Sequence, residues 1–267
     1  IRCTFQSAFR TRAVLARQIF KVPLTKVYAV ADNVGGGFGM KGNCYAEYAF
    51  CMWAAEILER PTKWVGSREE SLLTDDQARD NISEAELALD GNGKFLALRV
   101  KTTANIGAYF TSDRATGPNT GNLGSLAGTY TTKAIYAEVL GVMTNTMTTG
   151  HYRGAGRPEA AYVIEATIDK AARELQMDPV ELRRINTIPT DALPYKTGLV
   201  FTYDSGNFLK NLEDGTASAD LRGFRDRRMN SENNGKLRGM GVTNTIERTA
   251  GGMIETAEIR FDQSGTM

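Results

Sequence analysis

Two glycine-rich turns carry most of the chemistry this sequence offers. The first is Asn33-Val-Gly-Gly-Gly-Phe-Gly-Met-Lys-Gly42, set between a short apolar run and a helix pattern. Successive glycines let the main chain approach a ligand closely, and a helix start leaves N–H groups without partners. Such a turn suits an anionic or oxygen-rich ligand. It lacks the Gly-Lys-Ser/Thr of a Walker loop, and Gly35, Gly36, Gly37 and Gly39 do not fit a GxGxxG spacing. The second turn is Gly150-His-Tyr-Arg-Gly-Ala-Gly-Arg-Pro-Glu159. Here Arg153 and Arg157 add guanidiniums that can fork onto phosphate or oxo groups. Either turn alone is equally a tight connection with no ligand, its arginines paired with surface carboxylates. Two in one chain favour a single shared anionic ligand.

The other reactive residue types narrow the choice. One histidine, His151, and three scattered cysteines cannot assemble a His/Cys zinc site. Cys44 and Cys51 are two helical turns apart, too far for a bridge, and are expected in a helix core with Cys3 elsewhere. A redox cofactor must then be held by main chain, arginine, polar groups or another chain. His151 reads as a turn histidine held by local hydrogen bonds, or as a residue near the ligand. Trp53 and Trp64 are expected in the core. Arg222, Arg225, Arg227 and Arg228 form a basic face, solvated or set against a neighbouring domain.

These turns need elements to position them. Val27 to Val30 reads as a strand entering the first turn, and Cys44, Tyr48, Cys51, Met52, Ala55 and Leu58 give the following helix an apolar face that Pro61 ends. Residues 10–20 read as a helix, with Phe9, Val14, Leu15, Ile19 and Phe20 apolar. Lys63-Trp-Val65 reads as a strand, and Ser67 with Glu70 as a capping box. Residues 82–89, Asp90-Gly-Asn-Gly93 and residues 96–100 form the clearest hairpin. Residues 105–133, rich in glycine, read as a long ordered loop, and 136–143 as a strand. Pro158 and Glu159 suit the start of a helix running to Leu175, with Ala161, Ile164, Ile168, Ala171, Ala172 and Leu175 inward. Asp178 caps a second helix ending near Asn186. Residues 187–205 are irregular, 218–230 are a basic helix, and Gly239–Ile246 and Thr256–Phe261 are strands. The fold class is α+β, with mixed, mostly antiparallel sheets and packed helices. Residues 1–267 read as one domain, with a subdomain boundary drawn near 187–218.

Composition sets the outer bounds. The chain has 267 residues, 42% apolar and 24% charged, which excludes intrinsic disorder. A net charge of +1 gives no global attraction to nucleic acid or an anionic membrane. No apolar run is long enough for a membrane span. The first residue is Ile1 rather than Met, so this end reads as cut. A cytoplasmic protein is expected, or one exported with a partner. The strand pattern of 255–262 runs into the turn Asp262-Gln-Ser-Gly265 with only two residues after it. The chain therefore reads as a piece of a longer polypeptide.

The set of motifs resembles molybdenum hydroxylase large subunits, the family of xanthine dehydrogenases, aldehyde oxidases and aerobic carbon monoxide dehydrogenases. Val34-Gly-Gly-Gly-Phe-Gly-Met-Lys41 is similar to the family's GGGFG-x-K. Pro61 to Glu69 resembles its PVKW and SREE run, and His151 to Ala160 its YRGAGRPEA. Asp178 to Asn186, Pro194-Tyr-Lys-Thr197 and Tyr203-Asp-Ser-Gly206 match later stretches, so the likeness covers nearly the whole chain. It implies the first molybdopterin-binding domain, in an enzyme that hydroxylates an aldehyde or N-heterocycle with oxygen from water. Electrons would pass to iron–sulfur and FAD (flavin) partners, subunits or domains, assembled as a dimer of heterotrimers with the rest of the large subunit. The cofactor implied is molybdopterin in its cytosine dinucleotide form.

By motif position the main chain at Gly37, Phe38 and Gly39 would face the cofactor. Arg153, with the main chain of Tyr152 and Gly154, would hold it from the other side. Gln6 is similar to a family glutamine near the start of the domain. No residue here is expected to ligate the metal directly, and none is the catalytic base, which the resemblance places in a C-terminal segment outside this chain. Xanthine-type enzymes carry Glu where Gly42 stands, so a purine substrate is disfavoured. Active carbon monoxide dehydrogenases carry Cys where Gly154 stands, so that reaction is disfavoured too. Asn207 replaces a family Asp, a capping swap. On the residues alone two alternatives stay open: a non-catalytic module binding a phosphorylated ligand, or an assembly domain.

Overall fold

Period-2 alternation over residues 82–100 produces the expected hairpin: β1 (Asn81–Leu89) pairs antiparallel with β2 (Phe95–Gly107). Asp90 fixes the turn, its Oδ1 accepting the N–H groups of Asn92 at 2.8 Å and Lys94 at 2.9 Å. β3 (Ala134–Met143) then pairs with β2 in parallel, so the sheet has the order β1-β2-β3 and is mixed. The computed structural model describes residues 1–111, 116–117, 123–247 and 259–265.

A parallel pairing needs a crossover. Residues 108–133 supply it, and Leu126, Ala127, Thr129 and Tyr130 bury themselves against the sheet layer. Residues 126–130 are therefore part of the core as much as a loop; residues 112–115 and 118–122 lie outside the described set.

Helix α4 (Arg157–Leu175) covers the sheet, closing a core of Phe95, Leu98, Val100, Leu126, Ile164, Ile168 and Leu182. Each such side chain contributes roughly 1.5–3 kcal/mol on burial. Ala160 takes the deepest small-residue position while Ala161 is half-buried, and Leu175 is exposed because Gln176 ends the helix in a left-handed turn. Helix α5 (Pro179–Asn186) is capped by Asp178, whose Oδ1 accepts from Val180 N–H at 2.6 Å. Its Arg183 is fully buried, with Nε 2.7 Å from Glu165 Oε2 and Nη2 2.8 Å from Asp169 Oδ1. Tyr130 donates its hydroxyl to the other Glu165 oxygen at 2.7 Å. This buried ionic brace joins α4 to α5.

A second core, around Phe5, Leu15, Ala16, Val27 and Tyr48, forms an N-terminal layer. Helix α1 (Ala8–Ala13) runs into a π-turn over Val14–Ile19, and α2 (Ala46–Leu58) packs Tyr48 into the same cluster. Glu59 ends α2 in a left-handed conformation two residues before Pro61. Helix α3 (Arg68–Thr74) begins with the expected capping box between Ser67 and Glu70.

Several expected elements differ. Val27–Val30 is no strand: it makes one isolated parallel bridge, Arg2 to Val30, because only the terminal residues lie beside it. Lys63–Val65 is unpaired, and Trp53, Trp64 and Leu58 are exposed. Cys44 precedes α2, and Cys44 and Cys51 are half-buried free thiols at the edge of the N-terminal layer. The irregular stretch after Asn186 holds a two-residue ladder between β4 (Tyr195–Lys196) and β5 (Thr202–Tyr203).

An unexpected helix, α6 (Phe208–Ser218), ends where the basic helix was expected to start, and that basic helix is found as α7 (Phe224–Asn233), which begins six residues later than expected and carries Arg225, Arg227 and Arg228. Asn207 caps α6 through Lys210 N–H at 3.0 Å, as the capping swap requires. Arg227 and Arg228 pair with Asp220 and Glu232, a solvated arrangement. Gly239–Ile246 is not in a strand; the buried Asn244 anchors it, donating to Phe208 O at 3.1 Å while its own carbonyl accepts from Thr129 at 2.9 Å. The strand expected over Thr256–Phe261 lies outside the described residues at 256–258, and 259–261 are not in a strand.

Candidate functional site

The first glycine turn leaves the N-terminal layer as a chain of unusual conformations. Gly35, Gly36 and Gly39 have φ of +68°, +86° and +99°, and Phe38, though not glycine, has φ +52°. Such a non-glycine residue is strained and persists where its surroundings fix it. Three contacts do so here. Gln6 Oε1 accepts from Gly39 N–H at 2.9 Å, and a Cβ on Gly37 would strike that side chain. Lys41 Nζ donates to Val34 O at 2.5 Å, closing the ends of the loop. Tyr45 donates its hydroxyl to Met40 O at 3.1 Å.

The second turn rises from the sheet layer into α4, with φ of +97° at Gly154, +44° at Ala155 and +96° at Gly156. Ala155 N–H donates to Tyr152 O at 2.7 Å and Arg157 N–H to Gly154 O at 3.1 Å. Pro158 occupies the first helical turn, and its ring fills the place a Cβ on Gly154 would take. Arg157 pairs with Glu247 at 2.9 Å.

The two turns meet. A Cβ on Gly39 would lie 2.5 Å from His151 O and 2.8 Å from His151 C, so main chain touches main chain there. The Arg153 guanidinium stands 5.7 Å from the centroid of the Phe38 ring. Gly37, Phe38, Gly39, Tyr152, Arg153 and Gly154, the residues singled out from sequence, thus share one locality. The His151 ring packs on Gly117, and its carbonyl faces Gly39. Phe38, Tyr152 and Arg153 are all exposed, so the junction opens to solvent.

Behind the junction lie residues that sequence reasoning missed. The Asp76 carboxylate accepts from Asn43 Nδ2 and, at 3.4 Å, from Thr111. Desolvation pushes Asp76 up to about 6, opposed by those two donors and reinforced by Asp75. Arg79 donates to Arg153 O, lies 5.0 Å over the Tyr152 ring and comes 3.9 Å from Glu159. These partners are 33 to 80 positions apart in the chain, and no spacing rule announces them. Burial pushes the Cys44 thiol up to about 11, so it is protonated at neutral pH and is no thiolate ligand.

Two loops rich in positive-φ backbone and an exposed arginine meet at one seam, a geometry suited to an anionic, oxygen-rich ligand. The chain matches the family described as "Molybdopterin cofactor-binding domain" over residues 1–187, and it belongs to that family. It is 33% identical to the carbon monoxide dehydrogenase large chain of Hydrogenophaga pseudoflava, over 98% of this chain and 35% of that protein. It is 28% identical to the 6-hydroxypseudooxynicotine dehydrogenase complex subunit gamma of Paenarthrobacter nicotinovorans, over 95% of this chain and 32% of that protein.

Among solved structures, quinoline 2-oxidoreductase from Pseudomonas putida 86 superposes with a TM-score of 0.80 at 28% identity. The match covers 88% of this chain and 30% of the other. The chain therefore spans about a third of the length of the relatives it matches. The α+β fold implied by the motifs is the fold found, and the two alternative readings gain no support. No helix among the described residues is long and apolar enough to cross a membrane.

Proposed function

We propose that this chain is the part of a molybdenum hydroxylase large subunit that grips molybdopterin between its two loops. Main chain at Gly37, Phe38 and Gly39 forms one side; Arg153 with the main chain of Tyr152 and Gly154 forms the other. The contact of Gly39 with His151, with Arg153 over Phe38, carries this reading.

The donors present fit such a group. Among the described residues, the N–H groups of Gly36, Gly37, Phe38 and Gly154 donate to no protein acceptor, and the Arg153 guanidinium makes no ion pair. A cluster of uncommitted donors is complementary to phosphate and oxo oxygens. When bound, molybdopterin supplies a two-electron redox centre for carbon hydroxylation. What the chain supplies is binding and orientation: Gln6 fixes Gly39, Lys41 closes the loop, and the turn at Gly154–Gly156 aims Arg153.

The whole enzyme is read as hydroxylating an aldehyde or N-heterocycle with water-derived oxygen. Likeness to a quinoline oxidoreductase supports the heterocycle arm. We do not assign carbon monoxide, despite the likeness to its dehydrogenase. The resemblance associates that reaction with a cysteine at position 154, and φ +97° with the Pro158 ring in the Cβ position leaves no room for one. The relatives named as a large chain and a complex subunit support partners, which we read as iron–sulfur and flavin subunits in a cytoplasmic dimer of heterotrimers. We read the cofactor as the cytosine dinucleotide form, which the motif resemblance implies.

The test is metal and pterin analysis of the complete polypeptide purified with its partners. Stoichiometric molybdenum and pterin are expected, and a preparation free of both would overturn the reading. The segment 1–267 alone should show no turnover, since loss of a general base by itself costs about 10²–10⁴-fold.

A further inference from the structure

We propose that the segment Asp76–Asp80 is a clasp that sets the spacing of the two loops, with Asp76 and Arg79 as positioning residues for the ligand they share. The inference rests on the reading of the loops given above. The loops rise from different hydrophobic layers, so no common core fixes the distance between them. This five-residue stretch reaches both.

Its N-terminal end holds the exit of the first loop. Asp76 accepts from the buried Asn43, two residues after Lys41. A Cβ on Gly150, where the second loop begins, would lie 2.5 Å from Asp76 Oδ2 and 2.8 Å from Asn43 Nδ2. One carboxylate thus sits at the root of both loops. Gln77 continues the seam: its N–H donates to Thr148 O at 3.0 Å, and its carbonyl accepts from Gly150 N–H at 2.9 Å. Its side chain donates to Met147 O at 2.8 Å and Thr146 Oγ1 at 2.9 Å.

The other end holds the second loop at its working residue. Arg79 donates to the carbonyl of Arg153, covers the face of Tyr152 and leans on Glu159, which is nearly buried. A planar guanidinium can donate along its edge and stack by its face at once; an ammonium cannot. Arg79 has φ +63°, a conformation a side chain adopts only when surroundings impose it. Asp80 ties the segment to β2, its carbonyl accepting from Asn105 N–H at 3.0 Å and its carboxylate from Asn105 Nδ2 at 2.7 Å. The clasp is therefore fixed to the sheet and grips one loop at each end.

The experiment uses the complete polypeptide and its Arg79→Gln, Arg79→Lys, Asp76→Ala and Asp76→Asn variants. Hydrogen exchange is followed in cofactor-free protein, and molybdopterin retention on dialysis in loaded protein. Arg79→Gln and Arg79→Lys should each raise exchange of the hydrogen-bonded loop amides, Gly39 and Lys41 in the first loop and Ala155 and Arg157 in the second, about tenfold, the scale of one lost charge-assisted hydrogen bond, and shorten retention about as much. Asp76→Ala should do the same from the other end, while Asp76→Asn, which keeps an acceptor, recovers most of the loss. The sheet β1-β2-β3 should exchange as in wild type.

Loop exchange unchanged in Arg79→Gln, or full rescue by Arg79→Lys, overturns the clasp. If Arg79→Gln fails to fold, the Asp76 pair decides in the same way. A wild-type polypeptide without molybdopterin would instead overturn the reading of the loops, and the exchange comparison would still judge the clasp.

Discussion

The first loop is held largely by its own layer. Gln6 and Tyr45, from the N-terminal cluster, fix Gly39 and Met40, and Lys41 closes back on Val34. Apart from Lys41 these are neutral groups, and their partners are main-chain atoms. The second loop is held by charge: Arg79 on its carbonyl, Glu159 behind Arg79, and Arg157 against Glu247. Hydrogen bonds between neutral groups are weakly sensitive to salt and pH; partly exposed ion pairs are sensitive to both. On the reading proposed above, the first loop is the floor of the cradle and the second is its salt- and pH-sensitive wall.

The largest break of that contrast comes from beneath the wall. Arg183→Ala strands Glu165 and Asp169 in the brace under α4, the helix into which the second loop runs. Removing one partner of a buried pair typically costs about 3–5 kcal/mol. Urea unfolding should show this loss, and hydrogen exchange should place it in α4, α5 and the second loop. Equal loss of protection around Phe5 and Tyr48 would show that the two layers are not independent.

Next in size is the contact between the loops. Gly39→Ala puts a Cβ against His151 main chain, which has no flexible end to move aside, at φ +99°. Overpacking of this kind costs about 1–3 kcal/mol, and the left-handed conformation about 1–2 more. The cradle should open and molybdopterin be absent from the purified polypeptide. Gly35→Ala is the control: nothing lies within 4 Å of its Cβ, so only the strain at φ +68° remains. Equal cofactor loss in both variants would deny the contact its role.

Smaller again is Arg153→Ala, which separates binding from folding. The side chain is exposed, makes no ion pair among the described residues and touches only the exposed Phe38 ring, so stability should change by less than about 0.5 kcal/mol. A charge-assisted contact to an anionic ligand is worth about 1.5–3 kcal/mol, or roughly 10- to 100-fold in affinity. Cofactor content should fall while the melting temperature holds. A matched fall in both would make Arg153 a structural residue.

How much of this was legible follows from what each feature is made of. The Asp90 turn, the Ser67 and Asp178 caps and the helix from Arg157 depend on residues two to four apart, and they stand where the pattern puts them, the hairpin following from its turn. The glycine turns were readable because positive φ selects glycine locally. The strands over Val27–Val30, Lys63–Val65 and Gly239–Ile246 failed because a strand needs a neighbour, and apolar alternation does not supply one. α6 was missed because Gly215, Thr216 and Ser218 dilute its helical pattern, while Leu212 and the cap at Asn207 carry it. The clasp was invisible for a different reason. Asp76 meets Asn43 and Arg79 meets Arg153 only after two layers have assembled.

The smallest effect tests whether the clasp is itself tunable. Asp76 faces Asn43 at the exit of the first loop, Thr111, Tyr45 at the start of α2, and Asp75 on its own segment, a carboxyl also raised by burial and by Glu47. Its own value is pushed from near 4 up to about 6, chiefly by desolvation. The fold thus disfavours its charged form, so its contribution to stability is full below about pH 4 and is lost as pH rises through about 6. Asp76→Asn removes that titration and leaves Asp75, Glu47 and Tyr45 in place. The melting temperature of the variant minus that of wild type should therefore climb between pH 4 and 6 and level off above, by roughly 2–4 °C for each kcal/mol involved. A difference flat across that window would mean that Asp76 is not desolvated at the root of the loops, and that the floor and the wall meet without it.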